Sequence, residues 1–165
     1  MKIKKKTMYS PTFEHDACGM GFITQIDGKA SHELVEHALT MLRRMNHRGG
    51  TGAEPDTGDG AGILLSMPDK FFREYAAQQK FTLPPLGEYA VGMLFLPQKQ
   101  NEKEAMLQSV TDEINQAGFN VLAVRNVPYV YESCGPTAQK AMPGFAQVII
   151  KKPSDTPAGR KFEDE

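Results

Sequence analysis

The chain is poor in cysteine: two thiols in 165 residues, Cys18 and Cys134, far apart. It has no Cys-x-x-Cys pair and no Cys/His spacing suited to zinc, so neither a metal centre nor a disulfide framework is expected to organise the fold. No apolar run approaches the ~18 residues of a membrane span. Lys2, Lys4, Lys5 and Lys6 make a basic start, but no apolar stretch follows them, which excludes a secretory signal and points to a cytoplasmic protein. An excess of one charge is also missing. The net charge is −1, and such a balance argues against nucleic acid or a membrane surface as a partner. Internal repeats and low-complexity tracts are absent. What remains is 40% hydrophobic and 24% charged, the composition of one globular domain with a real core.

The pattern along the chain alternates. Gly19 to Ile26 reads as a strand, and Asp27-Gly28 as a turn. Ser31 is placed to cap a helix, with Glu33 and Glu36 near its positive end. Leu34, Val35, Ala38, Leu39, Met41, Leu42 and Met45 form its apolar stripe, Arg43 and Arg44 its last turn, and Gly49-Gly50 its stop. Gly62 to Met67 reads as a short buried strand, and Pro68 to Gln79 as a helix with Phe71, Phe72, Tyr75 and Ala76 on one side. Tyr89 to Leu96 reads as a buried strand. Asn101 and Glu104 resemble a capping box before a helix that runs to Gly118. Phe119 to Val127 and Phe145 to Lys151 complete the set of strands. Alternation alone favours an α/β class with a parallel sheet.

Three strings carry chemistry. The first is Glu14-His15-Asp16-Ala17-Cys18-Gly19-Met20-Gly21. The second is His47-Arg48-Gly49-Gly50-Thr51-Gly52-Ala53, and the third Thr57-Gly58-Asp59-Gly60-Ala61-Gly62. The third is not a phosphate loop: it lacks the Gly-Lys-[Ser/Thr] ending and no helix follows it. It reads as a tight turn feeding the strand at 63–67. A lone cysteine is more often a small buried hydrophobe than a nucleophile, and Cys134, in Ser-Cys-Gly-Pro, keeps that structural reading. His32 and His37 fall off a common helical face, so they do not form a metal pair.

Taken together, the three strings resemble the start of the class II glutamine amidotransferase domain of the glutamate synthase large subunit. The stretch His47 to Leu64 separates that family from amidotransferases with a shorter loop. The resemblance implies an α+β fold, the N-terminal nucleophile hydrolase αββα sandwich, present in part. It makes residues 1–17 a propeptide and residues 18–165 the first part of the domain. Cys18 becomes the nucleophile and, after cleavage, the first residue. Its free amine, with a reference pKa near ~8, can then take the thiol proton and return it to leaving ammonia. An amide nitrogen at position 18 has no basic lone pair to do this. His15 and Asp16 would leave with the propeptide and cannot support turnover. Arg48 and Gly49 fall at the substrate-binding edge, where a guanidinium can favour thiolate or orient substrate oxygens and glycine permits close approach.

The family's His-Ser-Arg-Phe carboxylate clamp and Asn-Gly oxyanion element do not occur among these residues. The expectation is therefore a piece of a larger enzyme, inactive alone. It would hydrolyse glutamine and pass ammonia to 2-oxoglutarate elsewhere in the synthase. No metal or cofactor is expected on this chain. FMN and an iron–sulfur cluster are implied for the full-length enzyme, as is a small NAD(P)H-dependent subunit or ferredoxin. Two other readings stay open: a non-catalytic binding or regulatory module keeping part of the fold, and a different amidotransferase.

Overall fold

The computed structural model describes residues 19–153. They fall into two units, divided between Leu64 and Leu65.

The first unit is built on one helix, α1 (His32–Arg44). The Ser31 hydroxyl accepts the Leu34 N–H at 3.2 Å, satisfying one of the free donors at the helix start. Glu33 lies in the first turn and Arg43 and Arg44 in the last, matching the helix dipole. The expected stripe, Leu34 to Met45, is half-buried throughout. His32 and His37 face acids one turn away, Glu36 at 3.5 Å and Glu33 at 3.9 Å.

Residues 19–26 do not form the expected strand. Met20, Phe22 and Ile26 are exposed. The expected strand at 62–67 is not formed either, and Leu64 and Leu65 are exposed there. The physical reason is common to both. A strand is stable only against a partner that takes its N–H and C=O groups, and neither run has one among the described residues.

The second unit is a three-stranded sheet with helices. Its elements are α2 (Asp69–Gln79), β1 (Tyr89–Leu96), α3 (Gln100–Gln116), β2 (Asn120–Asn126), α4 (Pro136–Ala141) and β3 (Gly144–Lys151). The strand order is β1-β3-β2, with β3 antiparallel to both neighbours. The sheet is thus antiparallel, against the parallel sheet that alternation favours. β1 and β2 do run parallel to each other across α3, but the last strand in sequence sits between them.

Side chains alternate between faces along a strand, and β3 uses both. Ile149, fully buried, packs with Phe72 and Ala76 of α2 and with Leu83 and Tyr89. The Phe72 and Tyr89 rings meet edge to face at 6.5 Å. Ala146 and Val148, also buried, point to the opposite face. Close packing shows in the Gly92–Val148 pair, where a Cβ on Gly92 would lie 3.1 Å from a Val148 methyl. β2 shifts register between Val121 and Ala123, so Leu122 and Ala123 both pack against the Ile149 cluster.

Helix α3 begins at Gln100 with Lys99 as its cap residue and no side-chain cap bond, so Asn101 lies inside the first turn and is not the cap. Gly118 follows its end at φ +87°, the left-handed conformation expected there. The short α4 starts at Pro136, where a missing N–H costs nothing.

One polar cluster ties α2 to β1. Arg73 donates to both Asp69 oxygens, at 2.7 and 3.0 Å, and to the Leu83 and Pro84 carbonyls. The Tyr89 hydroxyl donates to Asp69 at 2.9 Å. The Arg73 hydrogen bond holds the Asp69 carboxyl below its ordinary range, against the opposing effect of burial. Burial, then the bond to Asp69, pushes the Tyr89 phenol up to about 12. Tyr89 titrates near ~10 when unfolded, so its contribution is complete below pH ~10 and disappears as pH rises to about 12. We expect Tyr89→Phe to cost about 1 kcal/mol at neutral pH and to flatten the loss of stability in that alkaline window. Urea unfolding as a function of pH measures both. A variant as steeply pH-dependent as the parent there would disprove the assignment.

Candidate functional site

The loop after α1 holds two of the candidates, Arg48 and Gly49. Met45 closes the helix, its N–H bonding the Met41 and Leu42 carbonyls, each at 3.1 Å. A single 3-10 turn, Asn46–Arg48, follows. His47 Nδ1 lies 3.0 Å from the Arg44 carbonyl oxygen. A carbonyl only accepts, so Nδ1 carries the proton in this contact. The Gly49 N–H donates to Asn46 O at 3.1 Å, and Gly49 is extended at φ −86°, ψ 148°.

From Gly50 to Asp59 the chain folds back on itself. Thr51 and Gly58 form an isolated antiparallel bridge. It is flanked by bonds from Asp59 N–H to Gly50 O at 2.9 Å and from Gly52 N–H to Thr57 O at 3.1 Å. The tip turns at Glu54-Pro55-Asp56-Thr57, where Thr57 N–H donates to Glu54 O at 3.2 Å and the Thr57 hydroxyl donates to the Glu54 carboxylate at 2.7 Å. Pro at the second turn position presets φ for this bend.

The Asp59 side chain then closes the loop. Its Oδ2 accepts the Gly50 N–H at 2.8 Å. In a continuing ladder the Asp59 carbonyl would take that bond. The carboxylate takes it instead, so the ladder ends there and the chain is free to leave the hairpin. One glycine is needed by this closure and a second fits tightly within it. A Cβ on Gly58 would lie 2.6 Å from Gly50 O, and one on Gly50 would lie 3.2 Å from Asp59 Oδ2. A Cβ on Gly60 or Gly62 would meet nothing within 4 Å, and neither glycine has a positive φ.

The segment just after Cys18 lies along α1. A Cβ on Gly21 would fall 2.6 Å from Met41 Sδ, so a side chain there would have to displace the end of the Met41 side chain. Ser31 Oγ donates to Gln25 Oε1 at 3.4 Å. Ile23, His37, Thr40, Met41, Arg44 and Met45 line an open cleft of ≈ 420 Å³.

Among the sequence candidates, Cys18 lies outside the described residues, as do His15 and Asp16. The backbone of Arg48 ends the 3-10 turn, and Gly49 leads directly into the closed loop. Cys134 is a half-buried free thiol in the second unit. The stretch 57–62 does not feed a strand; it supplies one side of the hairpin. Sequence reasoning misses Asp59 as a tie to Gly50. Its partner stands 9 residues earlier, and an Asp between glycines signals a turn without naming what it bonds.

Residues 18–165 match the family of class-II glutamine amidotransferases. The chain belongs to that family. It is 42% identical over 160 residues to the glutamate synthase [NADPH] large chain of Bacillus subtilis, covering 97% of this chain and 10% of that protein. It is 41% identical over 138 residues to the ferredoxin-dependent glutamate synthase of Cyanidium caldarium, covering 84% and 9% respectively. Against the glutamate synthase [NADH] of Schizosaccharomyces pombe, identity is 36% over 154 residues, covering 92% of this chain and 7% of that one. The chain thus spans about a tenth or less of the length of the curated relatives it matches.

The amidotransferase loop yields a direct test. Gly58→Ala must push the Gly50 backbone away, whereas Gly60→Ala meets open space. We expect hydrogen exchange at the Gly52 and Asp59 amides to speed up roughly tenfold or more in the first variant and to stay unchanged in the second. Equal protection in both variants would disprove the account of the loop.

Proposed function

We propose that this chain is the glutaminase part of a glutamate synthase, with Cys18 as its nucleophile. The observation that carries the proposal is the family match over residues 18–165, a span whose first residue is Cys18. In this reading residues 1–17 are a propeptide, and cleavage makes the Cys18 nitrogen a free amine. The amine takes the Cys18 thiol proton, and the thiolate adds to the side-chain amide carbon of glutamine. The carbon–nitrogen bond then breaks while the ammonium returns its proton to the leaving nitrogen, and ammonia departs. Water adds to the γ-glutamyl thioester, the carbon–sulfur bond breaks, and glutamate and the free thiol are released.

Arg48 and Gly49 stand at the edge of this site. Arg48 supplies a permanent positive charge for thiolate or substrate oxygens, and Gly49 a backbone without a side chain in the way. The ammonia passes to 2-oxoglutarate in the remainder of the synthase chain. The names of the relatives point to NADPH, NADH or ferredoxin as the class of electron donor. FMN and an iron–sulfur cluster would belong to the rest of that enzyme. The residues here do not fit the cluster: it takes about four thiolates, and the chain has 2 cysteines. Among the described residues no group of three or more His, Cys, Asp or Glu gathers to hold a metal. A cytoplasmic location goes with this reading. Among the described residues, no helix is long and apolar enough to cross a membrane.

The N-terminal nucleophile hydrolase sandwich is part of the same proposal. It is supported by the family, by the antiparallel sheet, and by the unpaired apolar runs at 19–26 and 62–67. Those runs have the composition of strands whose partners lie elsewhere in the domain.

Two measurements test the chemistry. In the full-length enzyme, Cys18→Ala should abolish glutamine-dependent glutamate formation and spare ammonia-dependent synthesis, while Cys134→Ala leaves both close to the parent. Loss of both activities in Cys18→Ala would reject the assignment. Intact mass spectrometry of the active enzyme should show Cys18 at its N-terminus. An active form that retains Met1 would remove the amine as base.

A further inference from the structure

We infer that Asp59 is a positioning residue for the glutaminase site: its carboxylate fixes the backbone that carries Arg48 and Gly49. The inference rests on the reading of that loop as the substrate edge.

The geometry consists of two ties on either side of Gly49. On the helix side, the Gly49 N–H donates to Asn46 O at 3.1 Å, within the turn that closes α1. On the other side, Gly50 is held twice by one residue. Its N–H donates to Asp59 Oδ2 at 2.8 Å, and its carbonyl accepts the Asp59 N–H at 2.9 Å. Gly49-Gly50 is the part of the loop with most freedom to lose, since glycine samples more backbone conformations than any other residue. Without the carboxylate, Gly50 would keep one bond and the Arg48-Gly49 segment would be held firmly at one end only. A group that orients substrate must be held within a fraction of an ångström to be effective.

Asp59 is exposed and lies on a loop, so removing its side chain leaves the packed parts of both units intact. Its effect should therefore be confined to what the loop positions. It need not touch glutamine itself. The tie is geometric, so an uncharged acceptor of the same shape should restore most of it. Asn keeps an oxygen where Oδ2 stands, and Ala does not.

The test uses the full-length enzyme with glutamine and, separately, with ammonia as nitrogen donor. Asp59→Ala should raise the KM for glutamine about tenfold or more and lower kcat by less. Ammonia-dependent synthesis should be unchanged. Asp59→Asn should return the glutamine KM to within about threefold of the parent. Gly58→Ala, which displaces Gly50 from the other direction, should reproduce the glutamine defect of Asp59→Ala. An unchanged glutamine KM in Asp59→Ala overturns the inference. Equal defects in Asp59→Asn and Asp59→Ala overturn it as well, since charge and not position would then matter. Cys18→Ala in the same assay separates this outcome from failure of the underlying reading. If that variant still uses glutamine, the glutaminase assignment itself is wrong. If it does not, and Asp59→Ala is silent, only the role of Asp59 falls.

Discussion

Both outer strands of the second unit depend on β3. β1 and β2 are each antiparallel to it and so parallel to one another, with no bond between them. Strands lie about 4.8 Å apart in a sheet, so without β3 the unit β1-α3-β2 would hold two strands across an empty slot. The eight residues Gly144–Lys151 fill that slot and supply both core layers at once. Ile149 closes the layer under α2, while Ala146 and Val148 close the opposite one. The register brings Tyr89, first in β1, opposite Lys151, last in β3. Tyr89 is in turn bonded to Asp69 in the first turn of α2. The sheet edge, the helix start and the end of the central strand therefore meet at one corner, which the Asp69–Arg73–Tyr89 cluster secures.

What the sequence reveals follows from how local each interaction is. α1 is legible because its signals lie within it: Ser31 at the start, a stripe at helical spacing, and arginines in the last turn. β1 is legible to the residue, since its apolar run is bounded on both sides. The antiparallel sheet is not legible from alternation, which records that β1 and β2 run the same way and says nothing of a later strand inserted between them. The runs at 19–26 and 62–67 have the composition of strands, yet composition cannot supply the partner a ladder needs. Asn101 fails as a cap for a smaller reason: α3 starts two residues earlier than that cap implies, at Gln100, and helix ends are set by a balance of weak preferences.

The site shows the same division in sharper form. Cys18 is singled out by its neighbours in the string Cys-Gly-Met-Gly and by two later motifs; no periodicity marks it, and in the proposed reading its base exists only after a peptide bond is cut. Asp59 is the reverse case. Its importance is purely geometric and appears only when Gly50 is seen within reach.

Sorting the glycines by what a Cβ would meet separates architecture from chemistry in this loop. A Cβ on Gly21 would press on the end of the Met41 side chain, and Gly58 is required by the Gly50 carbonyl. Gly50 faces the Asp59 carboxylate. Each of these is accounted for by packing or by closure of the hairpin. Gly49, like Gly52, Gly60 and Gly62, is not: its nearest neighbour, Asn46 O, would lie at an ordinary 3.5 Å from a Cβ, and its φ is one any residue adopts. A glycine that local packing and backbone do not require costs conformational entropy with no structural return. Gly49 directly follows Arg48 and stands between the two ties. Its bare backbone is explained if something outside the loop must come close, and in the amidotransferase reading that visitor is the substrate. The entropy cost of two adjacent glycines then falls on Asp59, whose carboxylate restores the order that the missing side chains would otherwise have helped to provide.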